Sequence, residues 1–165
     1  MREIIGHSAP VNSLAFSPDG RRLLTTSEDM AAKVWGVDTG NWLITLSEHT
    51  DIVAKGIFSP DGVWLVTASY DHTIRIWNSQ TGALVKVLVN HTSPVSELAF
   101  SPNGQILASS GINDRIILWE ELVWEPLLIM KDPGKGDIPL AFSPENKIFA
   151  STNQIYALWV WGVRK

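Results

Sequence analysis

A five-residue phrase returns through the chain at a fixed interval. Phe16-Ser17-Pro18-Asp19-Gly20 reappears as Phe58-Ser59-Pro60-Asp61-Gly62, as Phe100-Ser101-Pro102-Asn103-Gly104, and more weakly as Phe142-Ser143-Pro144-Glu145-Asn146, each 42 residues after the last. Trp35, Trp77, Trp119 and Trp161 keep the same step, and so do His7, His49 and His91, with Pro133 in the fourth place. No gap is needed anywhere in the 165 residues. A period of this length confines the fold to arrays in which each unit packs on its neighbours.

The second unit shows the local structure. Ile52 to Phe58 is an apolar-rich run. Ser59-Pro60-Asp61-Gly62 then combines a residue that presets φ, one that bonds its own backbone and one that tolerates positive φ, which is a turn. Trp64 to Ser69 is rich in β formers, Tyr70-Asp71-His72 reads as a tight turn, and Thr73-Ile74-Arg75-Ile76-Trp77 alternates with period two. Asn78 to Gly82 turns again, and Ala83 to Leu88 makes a fourth strand. No stretch keeps helical spacing. Each unit therefore reads as a four-stranded antiparallel meander. Radial stacking of such sheets gives an all-β propeller of four blades.

These residues resemble WD40 repeats, the β-transducin-like propeller family. The resemblance rests on the 42-residue period, Gly6-His7 before the first strand, Ser-Pro-Asp-Gly after it and Trp closing the third. The usual Trp-Asp ending is replaced by Trp35-Gly36, Trp77-Asn78, Trp119-Glu120 and Trp161-Gly162. In one WD40 repeat domain over 1–165, the units fall at about 6–47, 48–89, 90–131 and 132–165. Residues 1–5 are expected as an outer strand that completes the last blade, unless a second chain does so.

The resemblance implies a hydrogen-bonded tetrad in each blade, made of His, Ser or Thr, Asp and Trp. The matching residues are His7, Ser27, Asp29 and Trp35 in the first unit, and His49, Ser69, Asp71 and Trp77 in the second. The third keeps His91 and Trp119, with Gly111 and Asn113 in the other places and Ser109 or Ser110 as substitutes. The fourth offers Pro133, Asn153, Ile155 and Trp161, so only Trp is expected to remain. His49, Ser69 and Asp71 also have the composition of a Ser-His-Asp hydrolase, but no oxyanion hole or cleft is signalled. The structural role is preferred, and no enzyme activity is expected.

The resemblance also implies a protein- or peptide-binding face near the start of each first strand and the turn between the second and third. The matching positions are Pro10, Asn12 and Glu28, then Ile52, Ala54 and Tyr70, then Pro94, Ser96 and Ile112, with Gly136, Ile138 and Gln154 the loosest set. Trp64 and Trp159 are expected to pack between blades, and Trp42 and Trp124 to begin outer strands, with core or rim packing preferred over a contact surface.

Composition narrows the alternatives. There is no cysteine, so disulfides and Cys-ligated metals are excluded. His7, His49, His72 and His91 do not have metal-ligand spacing, so no metal or cofactor is expected. A net charge of −4 argues against a nucleic-acid partner. No apolar run approaches about 18 residues, so no helical membrane span is expected. The interior of the cell is the expected compartment, the cytoplasm ahead of the nucleus. Four blades are few for the family. Three readings follow: a piece of a larger propeller, a closed four-bladed ring, or half of a head-to-tail homodimer.

Overall fold

The computed structural model describes residues 3–112, 115–131, 138–146, 148–152 and 158–162. All of its regular structure is strand. The first sheet, blade 1, is β1 (Val11–Phe16), β2 (Arg22–Ser27), β3 (Ala32–Gly36) and β4 (Trp42–Leu46). Blade 2 is β5 (Val53–Phe58), β6 (Trp64–Ser69), β7 (Ile74–Asn78) and β8 (Leu84–Leu88). Blade 3 is β9 (Val95–Phe100), β10 (Ile106–Gly111), β11 (Arg115–Glu120) and β12 (Glu125–Lys131). Blade 4 is β13 (Leu140–Phe142), β14 (Ile148–Thr152) and β15 (Leu158–Gly162). Every neighbour pairing is antiparallel and sequential, so each blade is a meander.

The Ser-Pro-Asp-Gly turns set the angle between the first two strands of each blade. Gly20, Gly62 and Gly104 have φ of 70°, 74° and 75°, a region in which a side chain is disfavoured. Asn146 takes the same place at φ 58°, as asparagine can. The Ser hydroxyl ties each turn: Ser59 accepts from Trp64 N at 2.9 Å and donates to Asp61 at 2.5 Å. The fourth copy keeps the backbone bond of the turn, Asn146 N to the Ser143 carbonyl at 3.0 Å, as Gly62 N donates to Ser59 at 2.9 Å.

The cores lie between blades. Leu24, Ala32, Val34 and Leu46 of blade 1 pack on Val53, Phe58, Leu65 and Trp77 of blade 2. Val66, Ile74, Ile76 and Leu88 of blade 2 pack on Val95, Leu98, Leu107 and Trp119 of blade 3. Ala108, Ile116 and Leu118 of blade 3 pack on Ile138 and Phe149 at blade 4. The same register positions therefore supply each interface. A repeated hydrogen bond crosses the first two: Arg22 donates to the Ser79 carbonyl, and 42 residues on Trp64 Nε1 donates to Glu121 at 2.5 Å.

Gly56 fixes the closest approach of blades 1 and 2. A Cβ there would lie 2.6 Å from Thr26 Cγ2 and 2.8 Å from Leu24 Cδ2. The equivalent residues of the other blades are Leu14, Leu98 and Leu140, yet Gly56→Leu is expected to destabilise by about 2 kcal/mol through overpacking. Urea unfolding checks it; a neutral or stabilising substitution would show that this interface has slack.

Residues 1 and 2 of the expected outer strand lie outside the described residues. Residues 3–10 join no sheet, and among the described residues blade 4 has three strands. The segment lies over its own blade instead: the Lys33 ammonium donates to the Gly6 carbonyl, and Gly6 sits against the Trp35 ring. Of the core and rim places expected for it, Trp124 takes the core. It precedes β12 and is buried among Trp64, Phe100 and the blade 2–3 core, at 6.2 Å from the Trp64 ring. Trp42 does begin its outer strand and is exposed. Trp64 packs between blades; the side chains of Trp159 and Trp161 lie outside the description.

Candidate functional site

Three buried networks recur at the step of the repeat. In blade 2, His49 Nδ1 meets Asp71 Oδ2 at 2.8 Å and His49 Nε2 meets Thr67 Oγ1 at 2.8 Å. Trp77 Nε1 donates to the same Thr67 oxygen at 2.9 Å. Blade 1 repeats this with His7, Asp29, Thr25 and Trp35, and the Thr25 oxygen is 2.8 Å from both rings. In blade 3, His91 Nε2 and Trp119 Nε1 both lie 2.8 Å from Ser109 Oγ. Asn113 lies outside the described residues.

The hydroxyl at the centre is therefore Thr25 and Thr67, not Ser27 and Ser69. The ladder gives the reason. Trp35 pairs with Leu23, and Trp77 with Leu65. Two residues along the strand puts Thr25 or Thr67 on the same face within reach of the indole, whereas four residues is about 13 Å. Ser27 and Ser69 tie the loops instead. Ser69 donates to the Asp51 carbonyl at 3.1 Å and accepts from Asp71 N at 3.1 Å; Ser27 does the same with Ala9 and Asp29. The signal was available in the sequence: Thr25, Thr67, Ser109 and Ser151 keep the 42-residue step. Ser151 is buried in blade 4, and the ladder pairs Phe149 with Trp161, so this blade keeps a hydroxyl as well as its Trp. Pro133, Asn153 and Ile155 lie outside the described residues.

This arrangement also disposes of a nucleophilic Ser69. Its hydroxyl is fully buried and has no bond to His49. Thr67, which does meet His49, is equally buried and holds the indole proton. Asp71 takes four donors: the His49 ring, Thr50 N, Thr73 N and the Thr73 hydroxyl. Burial pushes its pKa up. The bonds from His49 and Thr73 and the attraction of the imidazole outweigh this and hold the carboxyl well below the usual carboxylate range. Asp29 is shifted the same way: burial raises it, and Ser8 N and His7 lower it further. Among the described residues, no group of three His, Asp or Glu side chains could hold a metal ion.

The expected face positions are held in pairs. Glu28 N donates to the Pro10 carbonyl at 3.0 Å, Tyr70 N to Ile52 at 2.9 Å and Ile112 N to Pro94 at 2.8 Å. Ile52, Tyr70 and Ile112 are half-buried rather than fully exposed. Asn12, Glu28, Ile52, Ala54, Tyr70 and Ser96 line one open cleft of 320 Å³, together with Glu97. Asn12 Nδ2 donates to the Val53 carbonyl at 3.3 Å across the blade boundary. Lys55 and Glu97 pair at 3.1 Å between blades 2 and 3. Pro10, Pro94 and Ile112 are outside the cleft lining. Ile138 is not on this face: it is buried in the blade 3–4 core. Gly136 and Gln154 lie outside the described residues.

Comparison with known proteins agrees with the repeat. The family model "WD domain, G-beta repeat" matches residues 1–36, 40–78 and 82–120. Periodic tryptophan protein 2 of Arabidopsis thaliana is 44% identical over 48 residues, 29% of this chain and 5% of that protein. COMPASS component SWD3 of Saccharomyces cerevisiae is 38% identical over 55 residues, 33% of this chain and 18% of the relative. The SAGA complex/transcription factor TFIID complex subunit Taf5 of Schizosaccharomyces pombe is 46% identical over 41 residues, 25% of this chain and 6% of the relative. The matches thus span less than a fifth of these relatives' lengths. Three matched repeats, radially packed meanders and a His-hydroxyl-Trp network that recurs with them make the conclusion plain: the chain belongs to the WD40-repeat family.

Proposed function

We propose that the chain is a non-catalytic interaction scaffold that takes a peptide or protein segment in the cleft where blades 1, 2 and 3 meet. The observation that carries this reading is the convergence of six expected face residues on that one cleft. Half-buried Tyr70 and Ile52 supply apolar surface, Glu28, Asn12 and Ser96 supply polar groups, and the repeated backbone pairs hold them in place before a partner arrives. Preorganisation of this kind reduces the ordering cost of binding. Relatives named as a COMPASS component and as a SAGA/TFIID complex subunit are consistent with a role in protein assemblies. The cell interior is the proposed compartment, with the nucleus open beside the cytoplasm.

The test is selection of peptides from a displayed library on the immobilised chain, followed by titration calorimetry. Tyr70→Ala is expected to weaken the selected peptide about tenfold or more, a loss typical of a buried aromatic anchor. Val85→Ala, on an exposed outer-strand position, is expected to leave binding unchanged. Failure to select a peptide, or equal binding by Tyr70→Ala, would remove the cleft as the site.

A further inference from the structure

The turn between the third and fourth strands departs from the repeat in blade 3. Blades 1 and 2 carry Asp38-Thr39-Gly40 and Gln80-Thr81-Gly82 there, and blade 3 has Leu122-Val123-Trp124. Leu122 is 83% exposed and Val123 is 48% exposed. This exposure belongs to the turn, not to the place of blade 3 in the chain. Gln80 and Thr81 are exposed too, although blade 2 has a blade packed on each side of it. Two apolar side chains thus occupy a tip that the other copies fill with polar ones.

The tip is anchored. Trp124 takes φ 56°, where Gly40 and Gly82 take 71° and 73°. That region is disfavoured for a bulky residue. Burial of the indole against Trp64 and Phe100 compensates, and Trp124 N donates to the Glu120 carbonyl at 2.7 Å. Leu122 and Val123 are therefore held on an ordered turn, which lowers the cost of ordering them against a partner.

The charge around the tip departs from the repeat as well. Glu120 and Glu125 are directly opposite each other in the β11–β12 ladder. Side chains so placed are about 5 Å apart at Cβ, and like charges there repel. Glu121 stands beside them, one of its oxygens accepting from Trp64 Nε1. The same three positions are uncharged in the other copies: Gly36, Val37 and Asn41 in blade 1, and Asn78, Ser79 and Ala83 in blade 2. Lys86 meets Glu125 at 3.2 Å, which leaves the group of three carboxylates and one ammonium acidic.

We propose that this turn docks a segment of a partner protein that sets apolar side chains on Leu122 and Val123 and a lysine or arginine between Glu120 and Glu125. The opposed glutamates specify a cation, and the exposed Leu and Val specify apolar contact next to it. The same acidity opposes a second copy of this tip, a nucleic-acid backbone or an anionic membrane. The turn shares no residue with the cleft between blades 1, 2 and 3, so the proposal does not rest on that cleft.

Fluorescence anisotropy with a labelled peptide of leucine and lysine at helical spacing tests it, beside a leucine–glutamate peptide of the same pattern. The leucine–lysine peptide is expected to bind and the leucine–glutamate peptide not to bind. Leu122→Gln with Val123→Thr writes the residues of blade 2 into the tip. It is expected to weaken binding about tenfold with an unchanged circular dichroism spectrum. Glu120→Gln with Glu125→Gln is expected to weaken binding similarly and to decrease its dependence on salt. Absence of binding by the unmodified chain overturns the proposal, as does binding that neither double variant weakens. Loss of binding with Tyr70→Ala but not with the tip variants would place the peptide in the cleft, and also overturns it. So does adhesion to anionic phospholipid vesicles that Leu122→Gln with Val123→Thr abolishes, since the tip would then be a membrane contact.

Discussion

Trp77→Ala is expected to lower stability by about 4 kcal/mol, the range seen when a buried large aromatic is truncated. Trp77 is 2% exposed and sits in the core shared by blades 1 and 2. Its removal opens a cavity at that boundary and also takes away the indole proton held by Thr67. His49 packs edge-on against the same ring, with centroids 6.4 Å apart. One substitution therefore weakens both the contact between blades and the network that fastens the loop before β5. Urea unfolding followed by circular dichroism measures the loss. A cost below about 1.5 kcal/mol would mean that the boundary closes around the gap, since collapse is what decreases such penalties.

Asp71→Ala is expected to cost about 3 kcal/mol, because four donors lose their acceptor together. Asp71→Asn retains an oxygen for some of them and should cost about half as much. The same carboxylate makes stability depend on pH in a defined direction. Asp71 in the unfolded chain takes up its proton near the ordinary value of 3.8, while in the folded chain it stays ionised to lower pH. Below about pH 4 the unfolded state therefore binds more protons, and stability falls as pH falls. Above that window the Asp71 contribution is fully present. Asp71→Ala should flatten the acid limb of the stability profile as well as lower its plateau. An unchanged acid limb would assign the acid sensitivity to other carboxyls.

The 42-residue step made most of the fold legible. Strand alternation and the Ser-Pro-Asp-Gly turns located the meanders, and the recurring Trp located the third strand of each. The central hydroxyl was harder. Thr67 and Ser69 project from the same face of β6, because side chains two apart on a strand share a face. Only the pairing of Leu65 with Trp77 decides which one the indole reaches. Ser69 bonds within the Asp71 turn, but to backbone: its hydroxyl donates to the Asp51 carbonyl and accepts from Asp71 N. Ile138 was misplaced for a related reason. Counting the repeat aligned it with Asn12, an exposed residue, while packing gives it the buried apolar place at the blade 3–4 boundary. The convergence of Asn12, Tyr70 and Ser96 on one cleft depends on how three blades meet, which no single repeat encodes.

Placing the apolar cores at the seams has a consequence for how such a chain can change over generations. Each seam is built from one unit's sheet packed on the first strand and Trp of the next, at positions that recur with the repeat, so copying a whole unit of 42 residues adds one more seam of the same kind and breaks none. Duplication or loss of a unit alters length without inventing new packing. Cutting inside a unit would instead divide a meander and leave both halves without a ladder partner.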